Sequence, residues 1–178
     1  MPGRPLDAYK TAWGTTEQPT TITTVASAAF YGNRIKFNVA GQVVGMRWGR
    51  VENVNDNGGL GVMWALGPVR HPIRSCEWGR RIGVGATTFV WDNAFFHHFQ
   101  RVSVGQIYML EVAPLASPIH YNDGQLLAAA YTEPNGRFTW PQDANPDRNG
   151  ASSTTFLLFP LTSANGRRYA IDVLFLPD

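Results

Sequence analysis

The sequence predicts an all-β protein, a sandwich or a barrel of short strands. Three observations carry that expectation. Short stretches rich in β-branched and aromatic residues alternate apolar and polar positions, the period of a half-buried strand. Eighteen glycines and twelve prolines, scattered along the 178 residues, punctuate them. Helical signals are thin, with neither heptads nor an internal repeat.

The elements follow in order. Residues 1–30 carry Pro2, Pro5 and Pro19 and the threonine pairs Thr20-Thr21 and Thr23-Thr24, and read as an extended arm held by its own domain or by a neighbour. Residues 31–178 then form the sandwich domain. Ile35 to Val39 alternates, and Gln42 to Arg50 reads as a longer strand after Gly41. Asn53 to Gly59 is a turn, Leu60 to Leu66 a strand closed by Gly67-Pro68. Thr87 to Trp91 is a strand ended by a turn at Asp92-Asn93, and Phe95 to Val102 begins the next. Ile107 to Val112, Phe156 to Phe159 and Tyr169 to Phe175 complete the regular set. Gln125 to Tyr131 holds helix formers that Asn122 or Asp123 would cap; at seven residues it is two turns at most, with a strand as the alternative. Phe138 and Trp140 flank Thr139 after an Asn135-Gly136 turn and suggest a strand. Pro141 to Ser153 reads as a long polar loop, and loops of that length tend to be functional.

Size and composition bound the function. A chain of this mass buries about 70% of its surface on folding, enough for a core without staples. Charged residues are only 16%, against roughly a quarter in an ordinary domain, and a charge-poor surface expects a partner. The basic set is thirteen arginines with only Lys10 and Lys36 as lysines, which fits a GC-rich genome of the actinobacterial kind, with interface use, where arginine is enriched and lysine depleted, as the alternative. The dibasic pairs are Arg80-Arg81 and Arg167-Arg168, with no concentrated stripe, so nucleic acid is not an expected partner. Cys76 is the single cysteine and reads as an inert structural thiol. Met1 to Tyr9 has no apolar signal region, and no apolar run nears the length that crosses a bilayer, so membrane insertion is not expected.

Reactive constellations are scarce. His97 and His98 are adjacent, so on a strand they point to opposite faces, one inward and one to solvent, and do not share a metal. Asn53, Asn55, Asp56 and Asn57 before Gly58 resemble a calcium loop faintly, with Asp56 the single charge; a plain turn is the simpler reading. Nucleophile elbow, phosphate loop, dinucleotide fingerprint and zinc-helix motifs are missing. Thirteen acidic residues allow a glycosidase pair in principle, yet nothing in the order of residues brings two together. No catalytic, metal or cofactor site is expected. The aromatics weigh more: six Trp, six Tyr and ten Phe. Most suit a core with their indole N–H groups satisfied, but Trp140 and Trp78 neighbour polar loops and could stack on sugars or anchor a partner. Trp140, Phe138, Arg137, Tyr131 and Trp78 form the candidate partner or glycan contact set.

Gly32 to Val39, Gly45-Met46-Arg47-Trp48 and Leu60 to Ala65 resemble an uncharacterised β-sandwich family of actinobacterial surface proteins and actinobacteriophage tail proteins. Its members read G-x-R-F-x-V, then G-x-I-x-G-I-R-F-Y, then G-x-L-W. Arg101 to Tyr108, Asn122 to Leu126, Asn135 to Phe138 and the ending from Phe159-Pro160 through Asn165 to Phe175 follow in the family's order. The resemblance covers residues 22 to 178. It departs at Asn57-Gly58-Gly59, where the family has G-T-H, and at Pro141 to Ser153, an apparent insertion, so surface contacts do not carry over. It implies a single sandwich of jelly-roll type with an N-terminal arm and no catalytic residues to transfer. The implied role is a virion structural protein, a phage minor tail protein of the tail tip that serves host attachment. A capsid decoration protein and a carbohydrate-binding module of a cell-surface protein are the alternatives. The expected partners are other virion subunits, with a homo-oligomer in a symmetric particle and a host cell-surface glycan. The expected location is the virion, assembled in host cytoplasm. Repetition around a particle would raise a weak single contact to a firm one.

Overall fold

A computed structural model describes residues 8–14, 17–23, 30–51, 57–82, 88–115, 119–122, 124–126, 129–143, 149–153, 162–163 and 166–178. Fourteen strands lie among them, in chain order: β1 Thr21–Thr23, β2 Phe30–Phe37, β3 Gly41–Val51, β4 Gly59–Ala65, β5 His71–Trp78, β6 Phe89–Val102, β7 Ile107–Pro114, β8 Ile119–Asn122, β9 Tyr131–Thr132, β10 Phe138–Trp140, β11 Ala151–Ser153, β12 Thr162–Ser163, β13 Arg168–Tyr169 and β14 Ile171–Pro177. All pairings between them are antiparallel. No α-helix occurs among the described residues, so none is long and apolar enough to cross a membrane. The chain is an all-β sandwich.

The large sheet runs β12-β11-β2-β7-β4-β5, with β10 also pairing β2 and β9 pairing β10; the facing sheet is β14-β3-β6, and a small sheet orders β1-β8-β13. Period-two alternation explains the core between the two larger sheets. Ile35 and Phe37 of β2, Tyr108, Leu110 and Val112 of β7, and Met63 of β4 point inward from one side. Val43, Met46 and Trp48 of β3 and Ile171, Val173 and Phe175 of β14 point inward from the other. Phe37, Phe138 and Phe175 meet across the interior at ring separations of 5.3–5.6 Å. The outer face of the large sheet has its own cluster of Val62, Trp64, Met109 and Ala151. Central β7 is therefore buried on both faces, and Glu111 goes in with it, opposite Val62.

The described part of the arm packs on its own domain. Tyr9, Ala12 and Trp13 are buried, Lys10 bridges Phe175 of β14, and β1 joins β8.

Four expectations need correction. Asp92-Asn93 is not a turn: β6 runs straight through it because β3 pairs along its length, Trp48 opposite Asp92 and Arg47 opposite Asn93. The helix expected from Gln125 is absent in the described residues. Leu126 lies in a turn, its N–H donating to the Gly166 carbonyl and its own carbonyl accepting from Asp143 N–H, so its backbone serves distant residues. The polar loop ends in a strand, Ala151–Ser153, paired to β2. The strand β5 was not foreseen, since His71 and Pro72 at its start and Arg74 and Glu77 within it disguise it. Proline is tolerated there because β5 is a sheet edge. Phe156 to Phe159 lies outside the described residues.

A side chain repairs the split edge of β2, where β11 pairs with Phe30–Gly32 and β10 with Lys36–Phe37. Between them Asn149, fully buried, accepts from Arg34 N–H at 2.8 Å and donates to the Arg34 carbonyl at 3.2 Å. Its amide thus does the work of a strand residue. Asp143 accepts from the N–H groups of Asn149 and Gly166, both at 3.0 Å, tying two loops to the same point. Neighbouring Gly150 has φ 64°, and a Cβ there would lie 2.1 Å from the Arg167 carbonyl oxygen, so the junction requires glycine.

Candidate contact site

The β9–β10 hairpin carries four of the five candidate contact residues. Its loop is built by Glu133, whose carboxylate accepts from Asn135 N–H at 2.7 Å and Arg137 N–H at 2.6 Å. Gly136 takes φ 72° at the turn. With six residues from Tyr131 to Gly136 so placed, alternation turns Phe138 and Trp140 to the same face. That face is the interior: both are fully buried.

A surface stacking role for these two residues is therefore overturned. Phe138 packs on Phe37 and Phe175. Trp140 packs on Tyr131 at 5.6 Å, and both rings already hold a cation, since the Arg168 guanidinium lies 4.4 Å from each. Trp13 of the arm closes the cage at 3.6 Å. Arg168 is fully buried and gives one donor, Nη2, to Glu17 Oε1 at 2.5 Å; Nε and Nη1 carry no hydrogen bond, so the ring faces supply their favourable surroundings. Trp140 Nε1 likewise has no partner, against the expectation of a satisfied indole. Tyr131 is half-buried, and Arg137, 27% exposed, stands 3.8 Å from Glu133.

Trp78 lies elsewhere, at the end of β5, and is also buried, so it too cannot stack on a sugar. Its ring meets Trp48 at 5.7 Å, and its indole N–H donates to the Asp92 carbonyl at 2.9 Å. There the edges of the two sheets are stitched together. Asp92 takes Arg50 Nε at 2.6 Å on one carboxylate oxygen and Arg81 Nη2 at 2.6 Å on the other. A shallow groove of about 490 Å³ opens beside them, lined also by Glu77, Arg80 and Asn93. Three guanidinium groups face two carboxylates across it, so it suits a polar or anionic contact. The sequence showed its parts, Arg80-Arg81 and Asp92-Asn93, but assigned one to no stripe and the other to a turn.

At the other end of the same seam, Arg74 Nε and Nη2 both donate to the Phe99 carbonyl, at 3.3 and 3.1 Å. A second recess of about 480 Å³ lies there, lined by Leu60, Val62, Pro72, Ile73, His97 and His98 among others. Both histidines are exposed, with rings 4.5 Å apart, where one was expected inward. The cause is a bulge. Val43 pairs Gln100 while Gly45 pairs Phe95, so Phe96 to Phe99 face Val44 alone and alternation fails.

Among the described residues no three His, Cys, Asp or Glu side chains are grouped to hold a metal. Asp56, with Asn53 and Asn55, lies outside the described residues. Cys76 is buried between the sheets, and desolvation pushes its thiol up to about 12, so it stays protonated at neutral pH. Compared with known protein families, curated proteins and solved structures, the chain matches none.

Proposed function

We propose that the chain is a virion structural protein, a minor tail subunit that works through protein contacts and not through catalysis. The observation that supports this reading is the fate of the aromatics. Trp140, Phe138 and Trp78 are enclosed by the fold, whereas Phe95 and Phe99 on β6 stay 50% and 44% exposed. Strand β6 is the edge of its sheet. Half-exposed phenylalanines on an edge strand of a charge-poor chain suit burial against another protein far better than a sugar, which needs an open ring face. The sequence resemblance to actinobacteriophage tail proteins supplies the setting.

Mass spectrometry and electron microscopy of particles purified from the phage that encodes the chain test the proposal. The expected result is the chain at fixed, repeated sites on the tail. Density on the capsid shell would make it a decoration protein, and absence from the particles would overturn the virion reading. A glycan array tests the carbohydrate reading, with no retained sugar expected.

A further inference from the structure

The arm sits in a slot built for a peptide. On the outer face of the β14-β3-β6 sheet, Asp172 is fully buried and accepts from Ala12 N–H and Trp13 N–H, both at 2.8 Å. Arg47 donates from Nε to Asp172 at 2.8 Å and from Nη2 to the Trp13 carbonyl at 2.5 Å. The Trp13 ring, fully buried, lies against Trp91 at 5.6 Å and under the Arg168 guanidinium, which in turn pairs with Glu17. Tyr9 rests on Phe95 at 5.7 Å. The slot thus reads main-chain N–H groups, an indole and an acidic side chain four residues later. Among the described residues of this stretch, strand pairing is limited to the Lys10–Phe175 bridge.

We propose that the slot takes the same stretch of a second copy, so that copies join by exchanging arms. An empty slot leaves a carboxylate and two guanidinium groups of the interior without the partners that the arm supplies, and an opened arm is driven to refill one. Every contact made within one chain is available in identical form between two. Which occurs is then set by concentration, and a multi-copy particle places neighbouring arms at millimolar effective concentration. For that crowding alone the inference rests on the virion reading; the slot itself does not.

Two full-length variants test it. Trp13→Ala spoils the arm and keeps the slot; Asp172→Asn spoils the slot and keeps the arm. One is ¹⁵N-labelled, and native mass spectrometry follows the mixture at rising concentration. A mixed dimer formed by exchange has one intact arm–slot pair and one that carries both lesions. Because the second lesion adds little to a contact already broken, 1:1 heterodimers should be enriched about thirtyfold over either homodimer, the usual weight of an anchoring tryptophan. Labelled and unlabelled wild-type chains should form mixed dimers in the same way, which keeps the test sound if a variant fails to fold. A wild-type sample that stays monomeric throughout overturns the proposal, as does a mixture of the two variants whose mixed dimers are no more frequent than chance pairing gives. Absence of the chain from particles would sink the virion reading and leave this result standing, and the reverse holds equally.

Discussion

Glu111 and His120 are buried groups whose proton affinities are moved in opposite senses by the same cause. Desolvation raises the Glu111 carboxyl from 4.5 to about 7, the Trp64 side chain pulling the other way, and it lowers the His120 imidazole from 6.5 to about 4. Between pH 4.5 and 7 the folded chain keeps a proton on Glu111 that the unfolded chain releases, so stability falls as pH rises. Between pH 4 and 6.5 the unfolded chain binds a proton that folded His120 refuses, so stability rises with pH. Each slope is about 1.4 kcal/mol per pH unit. Over their shared window the two cancel. Urea midpoints measured from pH 4.5 to 7.5 should therefore show a rising branch in Glu111→Gln and a falling branch in His120→Phe, each relative to wild type. A Glu111→Gln profile parallel to wild type would refute the assignment. Trp140 makes a second prediction at this scale. It is fully buried and caps the Arg168 cage, so Trp140→Ala should lose about 3–5 kcal/mol of unfolding free energy. A loss under about 1 kcal/mol would mean the ring is solvated after all.

At the scale of elements, Asn149 shows why some pairing is invisible in a sequence. Strands such as β3, β4 and β7 were legible because buried and exposed positions alternate, or because both faces are apolar. The side chain of Asn149 pairs with β2 through its own amide, and nothing in Asn149-Gly150 distinguishes that from a turn. The same limit hid β5, whose Pro72 and charges are those of an edge, and it misread Asp92, whose short polar side chain suits a turn as well as a seam between sheets. The contact set failed for a related reason. Alternation showed that Phe138 and Trp140 share a face, but which face is inward depends on Arg168, about thirty residues on, and on Trp13 from the arm. Asn149→Ala should strand the N–H and carbonyl of Arg34 in the interior and cost about 3 kcal/mol. Asn149→Asp keeps the acceptor and loses the donor, so it should fall between. Equal midpoints for wild type and Asn149→Ala in urea would show that the edge of β2 does not depend on this residue.

For the molecule as a whole, the distribution of side chains separates stability from contact. The interior holds nearly all the aromatics that the sequence offered as a binding surface, together with ionised groups such as Asp172 and Arg168 that fix the arm. The exterior keeps Phe95 and Phe99 on β6, beside a seam already closed by Arg74 and Asp92. Because that seam closes through side chains, the phenylalanines are not needed to hold the sheets together, and replacing them should leave the fold intact. Phe99→Lys is the sharper test, since Phe95 also supports Tyr9. Its unfolding free energy should change by no more than about 0.5 kcal/mol, while a lysine placed in an apolar contact leaves a charge without solvent. For the virion role proposed above, copies per particle in a phage carrying the variant gene should drop while the purified chain melts as wild type does. Normal incorporation would move the contact surface away from β6, and a large loss of stability would return Phe99 to the core.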